Sequence, residues 1–133
     1  IAHFFTKKML QCSHVYVMDE DRYAMEYLSY LIKKGIKKNV VSERDFYLKE
    51  KEFIDMLKKD QEIKKLWKNY QKLNKVEHGK NTDYCVKVFV KKRYIDVYVE
   101  SKGRISTINQ HINKEIQQFL QLDFNYFMYG KSE

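Results

Sequence analysis

The sequence predicts an α+β fold, with N-terminal helices over about residues 3–76 and a small antiparallel sheet with one packed helix over about 84–130. Two observations lead to this prediction. Apolar residues recur at helical spacing through the first half of the chain, whereas short stretches of the second half alternate between apolar and polar residues. Helices first and strands later are typical of α+β folds rather than of alternating βαβ units.

Two helices are predicted at the start of the chain. The first, over residues 3–18, has apolar side chains on one face, at Phe5, Met9, Cys12 and Tyr16. The second, over 19–34, begins at three carboxylates, which suit the positive end of a helix dipole. Gly35 is its expected stop.

Three further helices complete the helical half. Ser42 is a candidate N-cap for a short helix over 43–47, and another helix runs over about 49–59. The clearest amphipathic pattern follows, with a stripe formed by Ile63, Leu66, Trp67, Tyr70 and Leu73. The opposite face carries Lys64, Lys65, Lys68 and Lys72. The polar residues 77–82 end this half.

The second half predicts strands. Residues 84–90 and 94–100 alternate, and the basic link Lys91–Lys92–Arg93 between them indicates a hairpin. Lys102–Gly103 indicates a second turn, a helix follows over about 109–121, and the final NYFMYG resembles a strand. We therefore expect one domain over 1–133, with a helical part over 1–80 and a mixed part over 81–133.

Composition narrows the classes of protein. Net charge is +8, from 26 Lys and Arg against 18 Asp and Glu, which favours a partner such as nucleotide or nucleic acid. Solvated lysine-rich helices give the same balance. No apolar run is long enough for a membrane helix, and Cys12 and Cys85 are expected to be free thiols in the cytoplasm. The chain starts at Ile1 rather than Met, which suggests a piece of a larger protein.

Complete catalytic motifs are missing from the sequence. The four histidines, His3, His14, His78 and His111, are not followed by Asp and have no second ligand at a metal-binding spacing. His111 and Glu115 form an ordinary i,i+4 surface pair. No phosphate-binding glycine loop or nucleophile elbow occurs. We therefore predict no catalytic residue, metal ligand or cofactor within this segment.

The strongest polar feature is the basic stretch around the predicted hairpin. Its cations are Lys87, Lys91, Lys92, Arg93, Lys102 and Arg104, and its interleaved rings are Phe89, Tyr94 and Tyr98. Rings on a sheet with a basic rim can stack bases and bind phosphates. Alternation alone equally predicts a sheet that packs its rings on helices while the lysines meet water.

Residues 93–130 resemble the C-terminal end of HD-domain phosphohydrolases related to deoxynucleoside triphosphate triphosphohydrolases. In that family an "RYIDPLV" strand leads to an "ISE" segment, a helix ending near "FL" and a final "YxYG" strand. The matching residues here are Arg93, Tyr94, Ile95, Asp96, Ile105, Ser106, Phe119, Leu120, Tyr126, Tyr129 and Gly130. Val97 stands where the family often has proline.

The N-terminal stretch is similar to the family's helix pair just after the catalytic core. Val15 and Tyr16 match its "VYxH" motif, and the following helix matches approximately at Ala24, Glu26 and Leu28. Met18 stands where the family has histidine.

The resemblance implies a C-terminal, non-catalytic portion of an HD-type metal-dependent phosphohydrolase that serves packing, oligomerisation or nucleotide regulation. The divalent metal would be held upstream by histidines and an aspartate, and would activate water there. The expected partners are the parent's catalytic domain, a second copy, and nucleotide or nucleic acid, with no membrane. The expected phosphate or nucleotide contacts are Lys91, Lys92, Arg93, Lys102, Arg104 and Tyr16. Two alternatives stay open: a freestanding nucleic-acid-binding module that uses the 84–104 hairpin, and a structural interaction domain built on the Trp67 helix.

Overall fold

The computed structural model describes residues 1–80 and 84–132, and confirms the α+β class. By internal contacts the chain divides into two compact units, Ile1–Arg22 with Lys87–Tyr126, and Tyr23–Val86 with Phe127–Glu133. Both units combine helices with short strands.

In chain order the helices are α1 (Ala2–Tyr16), α2 (Asp19–Lys37), a 3-10 helix (Glu43–Tyr47), α3 (Glu50–Leu57), α4 (Gln61–Gln71), α5 (Ile105–Ile108) and α6 (Gln110–Gln121). The strands are β1 (Lys75–His78), β2 (Cys85–Val86), β3 (Tyr98–Val99), β4 (Gly103–Arg104) and β5 (Met128–Lys131). All five predicted helices before residue 76 and the helix at 109–121 are confirmed, within a few residues at each end.

The first unit has a core shared by α1, α5 and α6. Its buried side chains are Leu10, Val17, Ile105, Ile112, Ile116 and Phe119. Beside this core, β3 and β4 pair antiparallel, with Val99 opposite Gly103. Helix α5 begins at Ile105, immediately after β4. The N–H of Ile105 donates to the carbonyl oxygen of Val97 at 2.8 Å, which ties the start of α5 to the residue before β3. Asn109 caps α6, because its side-chain oxygen accepts the N–H of Ile112 at 3.1 Å.

The second unit contains a three-stranded antiparallel sheet in the order β1-β5-β2. Val76 lies opposite Gly130, and Cys85 lies opposite Tyr129. Gly130 permits a close approach, since a Cβ there would lie 2.6 Å from Leu73 Cδ1 and 2.8 Å from Tyr23 Cε1. The buried residues Val41, Leu57 and Ile63 form a second cluster in this unit.

The predicted hairpin between 84–90 and 94–100 is wrong. Only Cys85–Val86 of its first strand forms a β-strand, and it pairs with β5. Tyr98–Val99 pairs with Gly103–Arg104 instead. Residues 87–97 have no regular secondary structure. Alternation determines which side chains share a face, but it does not determine which strand is the partner.

Two smaller expectations also differ from the structure. Gly35 does not stop α2, which continues to Lys37. A Cβ at Gly35 would lie 2.5 Å from Leu57 Cδ2, so this glycine provides space for packing. The polar stretch 77–82 begins inside β1, in which Glu77 and His78 pair with Tyr129 and Met128 of β5. Residues 81 and 82 of that stretch lie outside the described residues.

The apolar face predicted for α1 is not the buried one. Phe5, Cys12 and Tyr16 are exposed, and Tyr16 retains 73% of its accessible surface. Thr6 and Leu10 are the buried residues of this helix. The helix is apolar on both sides, so periodicity alone does not show which side the first unit covers.

Candidate functional site

The six predicted contact residues lie on different elements of the first unit. Lys91 and Arg93 are exposed on the irregular segment 87–97. Lys102 is exposed in the turn between β3 and β4, and Tyr16 is exposed at the end of α1. The other two, Lys92 and Arg104, bind neighbouring backbone carbonyls.

Lys92 is half-buried, and its ammonium group donates a hydrogen bond to the carbonyl oxygen of Leu120. The same ammonium lies 5.6 Å from the centroid of the Phe124 ring, a cation–π distance. An ammonium has three donors, so this hydrogen bond leaves donor capacity for a phosphate oxygen.

Arg104 belongs to a hydrogen-bonded junction rather than to an open cationic site. Its Nη1 donates to the carbonyl oxygen of Asp96 at 2.8 Å. The Asp96 carboxylate in turn accepts the N–H of Ser106 at 3.1 Å and the hydroxyl of Ser106 at 2.6 Å. These bonds join the irregular segment to the first turn of α5.

A cavity of about 470 Å³ lies beside the basic segment, within the first unit. Its lining residues come from two stretches of chain and are Lys87, Val88, Phe89, Val90, Lys92, Leu122, Asp123, Phe124 and Asn125. The volume falls in the usual range for small-ligand sites, and apolar walls with a few polar groups are typical of them. Of the predicted contact residues, only Lys92 lines this cavity.

Two aromatic residues of the cavity differ in how visible they are in the sequence. Phe89 was recognised as a ring within the basic stretch, and its side chain is 87% exposed. Phe124 was missed, because LDFNYF carries no clear helical or strand periodicity. Phe124 lines the cavity, and the guanidinium carbon of Arg22 lies 4.7 Å from the centroid of its ring.

Arg22 is the centre of a buried polar cluster in the first unit, and only 5% of it is exposed. Its Nε donates to the carbonyl of Val17 at 3.0 Å, and its Nη2 donates to the carboxylate of Asp19. The Tyr126 hydroxyl also donates to Asp19, at 2.7 Å. Burial, and then the bond to Asp19, raise the pKa of Tyr126. Nη1 of Arg22 has no hydrogen-bond partner among the described residues.

Tyrosine rings pack together in the second unit. Tyr84 stacks on Tyr30 with centroids 4.9 Å apart and meets Tyr27 edge-on at 5.0 Å. Burial is the largest cause that raises the pKa of Tyr84 to about 12. Because its hydroxyl stays protonated at neutral pH, it cannot act as a general base there.

The carboxyl group of Glu77 on β1 has a strongly lowered pKa. Its Oε2 accepts the hydroxyl of the cross-strand Tyr129 at 2.8 Å, while Lys75 lies 3.1 Å and Lys131 3.4 Å from its Oε1. The hydrogen bond from Tyr129 and the neighbouring lysines lower its pKa to about 2. The ionised form is thus favoured in the folded sheet.

Glu77→Gln is expected to reduce the loss of stability in acid. A folded pKa below the unfolded value gives stabilisation that is complete above the unfolded pKa, near 4.5, and is lost as pH falls toward about 2. Thermal unfolding midpoints measured through this pH window should fall more steeply for the unsubstituted chain than for the variant. Glu100→Gln, at an exposed turn residue, is the control, and equal acid sensitivity of all three proteins would contradict the assignment.

The histidines are not grouped into a metal site. His111 Nε2 lies 3.1 Å from the carboxylate of Glu115 on the same helix, as expected. The rings of His14 and Phe119 pack edge-to-face, with their centroids 4.8 Å apart. In the parts of the chain that the structure describes, no group of three His, Cys, Asp or Glu side chains is placed to hold a metal ion. Within the same residues, no helix combines the length and apolar character needed to cross a bilayer.

Comparisons with protein-family models, curated proteins and solved structures found no significant match to this chain.

Proposed function

We propose that this chain is the C-terminal, non-catalytic portion of an HD-type metal-dependent phosphohydrolase, where it packs against the catalytic domain and supports assembly. The observation that carries the proposal is the junction of Asp96 with Ser106. These residues belong to two separate segments that resemble the family, RYID and IS.

The chemistry of this junction gives both segments a reason to keep their residue types. A carboxylate accepts one N–H and one O–H from the same serine, so neither alanine nor valine could replace either partner without loss of a hydrogen bond. Hydrogen bonds to a charged group are worth about 1.5–3 kcal/mol when partly shielded from water. The pairing therefore fixes the path from the irregular segment into α5.

Other residues of the resemblance also have defined structural roles within their own units. Phe119 is fully buried in the core of the first unit. Tyr126 binds Asp19 and Arg22 in the same unit. Gly130 in the second unit lies against the ring of Tyr23, where a larger residue would collide. These roles support a shared fold.

The surface of α1 supports packing against another protein part. Phe4, Phe5, Val15 and Tyr16 have between 47% and 73% of their side-chain surface exposed. Large exposed apolar patches mark interaction sites in proteins. Val15 and Tyr16 are also the residues that match the family's motif after its catalytic core, so we assign the catalytic domain of the parent as the part that covers them.

The first test is the coding sequence that precedes Ile1. The proposal expects an upstream His-Asp dipeptide, with further histidines able to complete a divalent-metal site, because the resemblance assigns all metal ligands to that part. An upstream reading frame without a His-Asp dipeptide would contradict the proposal.

A binding experiment tests the role of α1. The upstream segment, expressed separately, should retain this chain in a pull-down, and Phe5→Glu with Tyr16→Glu should weaken retention at least tenfold because two charges would enter an apolar contact. Met25→Glu with Tyr47→Glu is the matched control, since both residues are exposed and the charge change is the same. Equal retention of both double variants would exclude α1 as the contact.

A further inference from the structure

The cavity of the first unit lies within a cluster of cations. Lys87 and Lys92 line it, and Lys91 and Arg93 extend from the same segment into solvent. No acidic residue occurs between residues 87 and 95. Among the described residues of the lining, Asp123 is the one carboxylate, and its Oδ1 accepts the N–H of Asn125 at 2.9 Å. Cations therefore outnumber acids among the described residues that line the cavity.

The lining of the cavity is also suited to binding an aromatic ring. Val88, Val90, Leu122 and Phe124 contribute apolar wall, and Phe89 provides an exposed face for stacking. The ring of Phe89 is accessible to a ligand, since 87% of the residue's surface is exposed to solvent. Exposed aromatic residues beside cationic ones are the usual platform for unpaired bases.

We propose that this surface binds single-stranded nucleic acid, with one base stacked on Phe89 at the cavity and with adjacent phosphates on Lys87, Lys91, Lys92 and Arg93. The ring faces supply stacking and the cations supply phosphate contacts. The proposal does not depend on the phosphohydrolase assignment, since it uses only the cavity and its charges.

A single strand fits this surface better than a duplex. The cavity is a concave site, and a base can enter it only if it is not stacked and paired in a duplex. The irregular segment 87–97 also presents no helix that could enter a major groove. We therefore expect weak sequence preference and a strong dependence on salt.

Fluorescence anisotropy with labelled oligothymidylate and oligouridylate tests the proposal. Affinity should fall steeply with salt, with a log–log slope of about −0.7 for each phosphate contact, or about −2 to −3 in total. A hairpin duplex of the same length should bind more weakly. Free thymidine monophosphate should compete only at much higher concentration, because it offers one phosphate to the cationic segment.

Two variants separate stacking from charge. Phe89→Ala should weaken binding about tenfold with little change of the salt slope, as expected for the loss of one stacked base. Lys91→Gln with Arg93→Gln should reduce the slope by about 1.4, which corresponds to two phosphate contacts. Phe89, Lys91 and Arg93 are exposed, so the variants should keep the thermal stability of the unsubstituted chain.

Matched controls distinguish a specific surface from general basicity. Phe4→Ala removes an exposed ring from α1, and Lys64→Gln with Lys68→Gln removes two exposed charges from α4 in the second unit. The proposal is supported if these controls bind the oligonucleotide with the same affinity as the unsubstituted chain. No binding at about 50 mM salt, equal losses in variants and controls, or competition by the free mononucleotide at the same concentration as the strand would overturn it.

Discussion

Phe119→Ala is expected to lower the free energy of unfolding by about 4 kcal/mol, the largest effect that we predict for a single substitution. Phe119 on α6 has no exposed surface and belongs to the core shared by α1, α5 and α6. Alanine removes the ring and leaves a cavity, and both the lost transfer free energy and the lost packing contribute. The edge contact with His14 at 4.8 Å is lost as well.

Urea denaturation followed by circular dichroism measures this effect. Phe119→Leu, which retains most of the apolar volume, should cost substantially less, and Gln117→Ala on the exposed side of the same helix should be nearly neutral. A cost below about 1.5 kcal/mol for Phe119→Ala would mean that the core collapses around the missing ring or is packed differently.

Arg22→Met is expected to lower the free energy of unfolding by about 3 kcal/mol. Methionine fills part of the volume, but Asp19 loses its cation, and the carbonyl of Val17 loses its donor. Removal of one member of a buried pair costs about 3–5 kcal/mol. We expect the lower end, because Nη1 has no partner among the described residues and its desolvation already reduces the stability of the parent chain.

Arg22→Lys distinguishes charge from geometry. Lysine keeps the charge but cannot donate to Val17, Asp19 and Tyr126 with one planar group, so it should recover only part of the loss. Tyr126→Phe removes a hydroxyl shared by the cluster, and its cost should not add to that of Arg22→Met. Full additivity in a double-mutant cycle, measured by urea denaturation, would show that the residues are not coupled.

The helices were predictable because local signals define them. The carboxylates at 19–21 mark the observed start of α2, and the stripe from Ile63 to Leu73 marks α4. The face of α1 was not predictable, since Thr6 is buried while Tyr16 is exposed. Apolar periodicity identifies faces, whereas the partner of each face depends on distant segments.

The strands and the candidate site show the same limit more strongly. Of the strand predicted by the alternation from Tyr84 to Val90, only Cys85–Val86 forms β2, and its partner is β5 rather than the next segment. The basic character of Lys91 and Arg93 was visible in the sequence. The sequence does not show that Phe124 and Phe89 line the same cavity. Two separate stretches of chain form this cavity, and only the tertiary structure brings them together.

The order of the sheet, β1-β5-β2, has a consequence for synthesis on the ribosome. The middle strand, β5, is the last to be translated, and the whole of Lys87–Tyr126 comes before it. Until β5 emerges, β1 and β2 have no strand between them, and both present open edges to other nascent chains. The sheet of the second unit is therefore completed late, although most of the unit's residues are made early, and premature termination before Met128 would leave β1 and β2 unpaired and prone to aggregation.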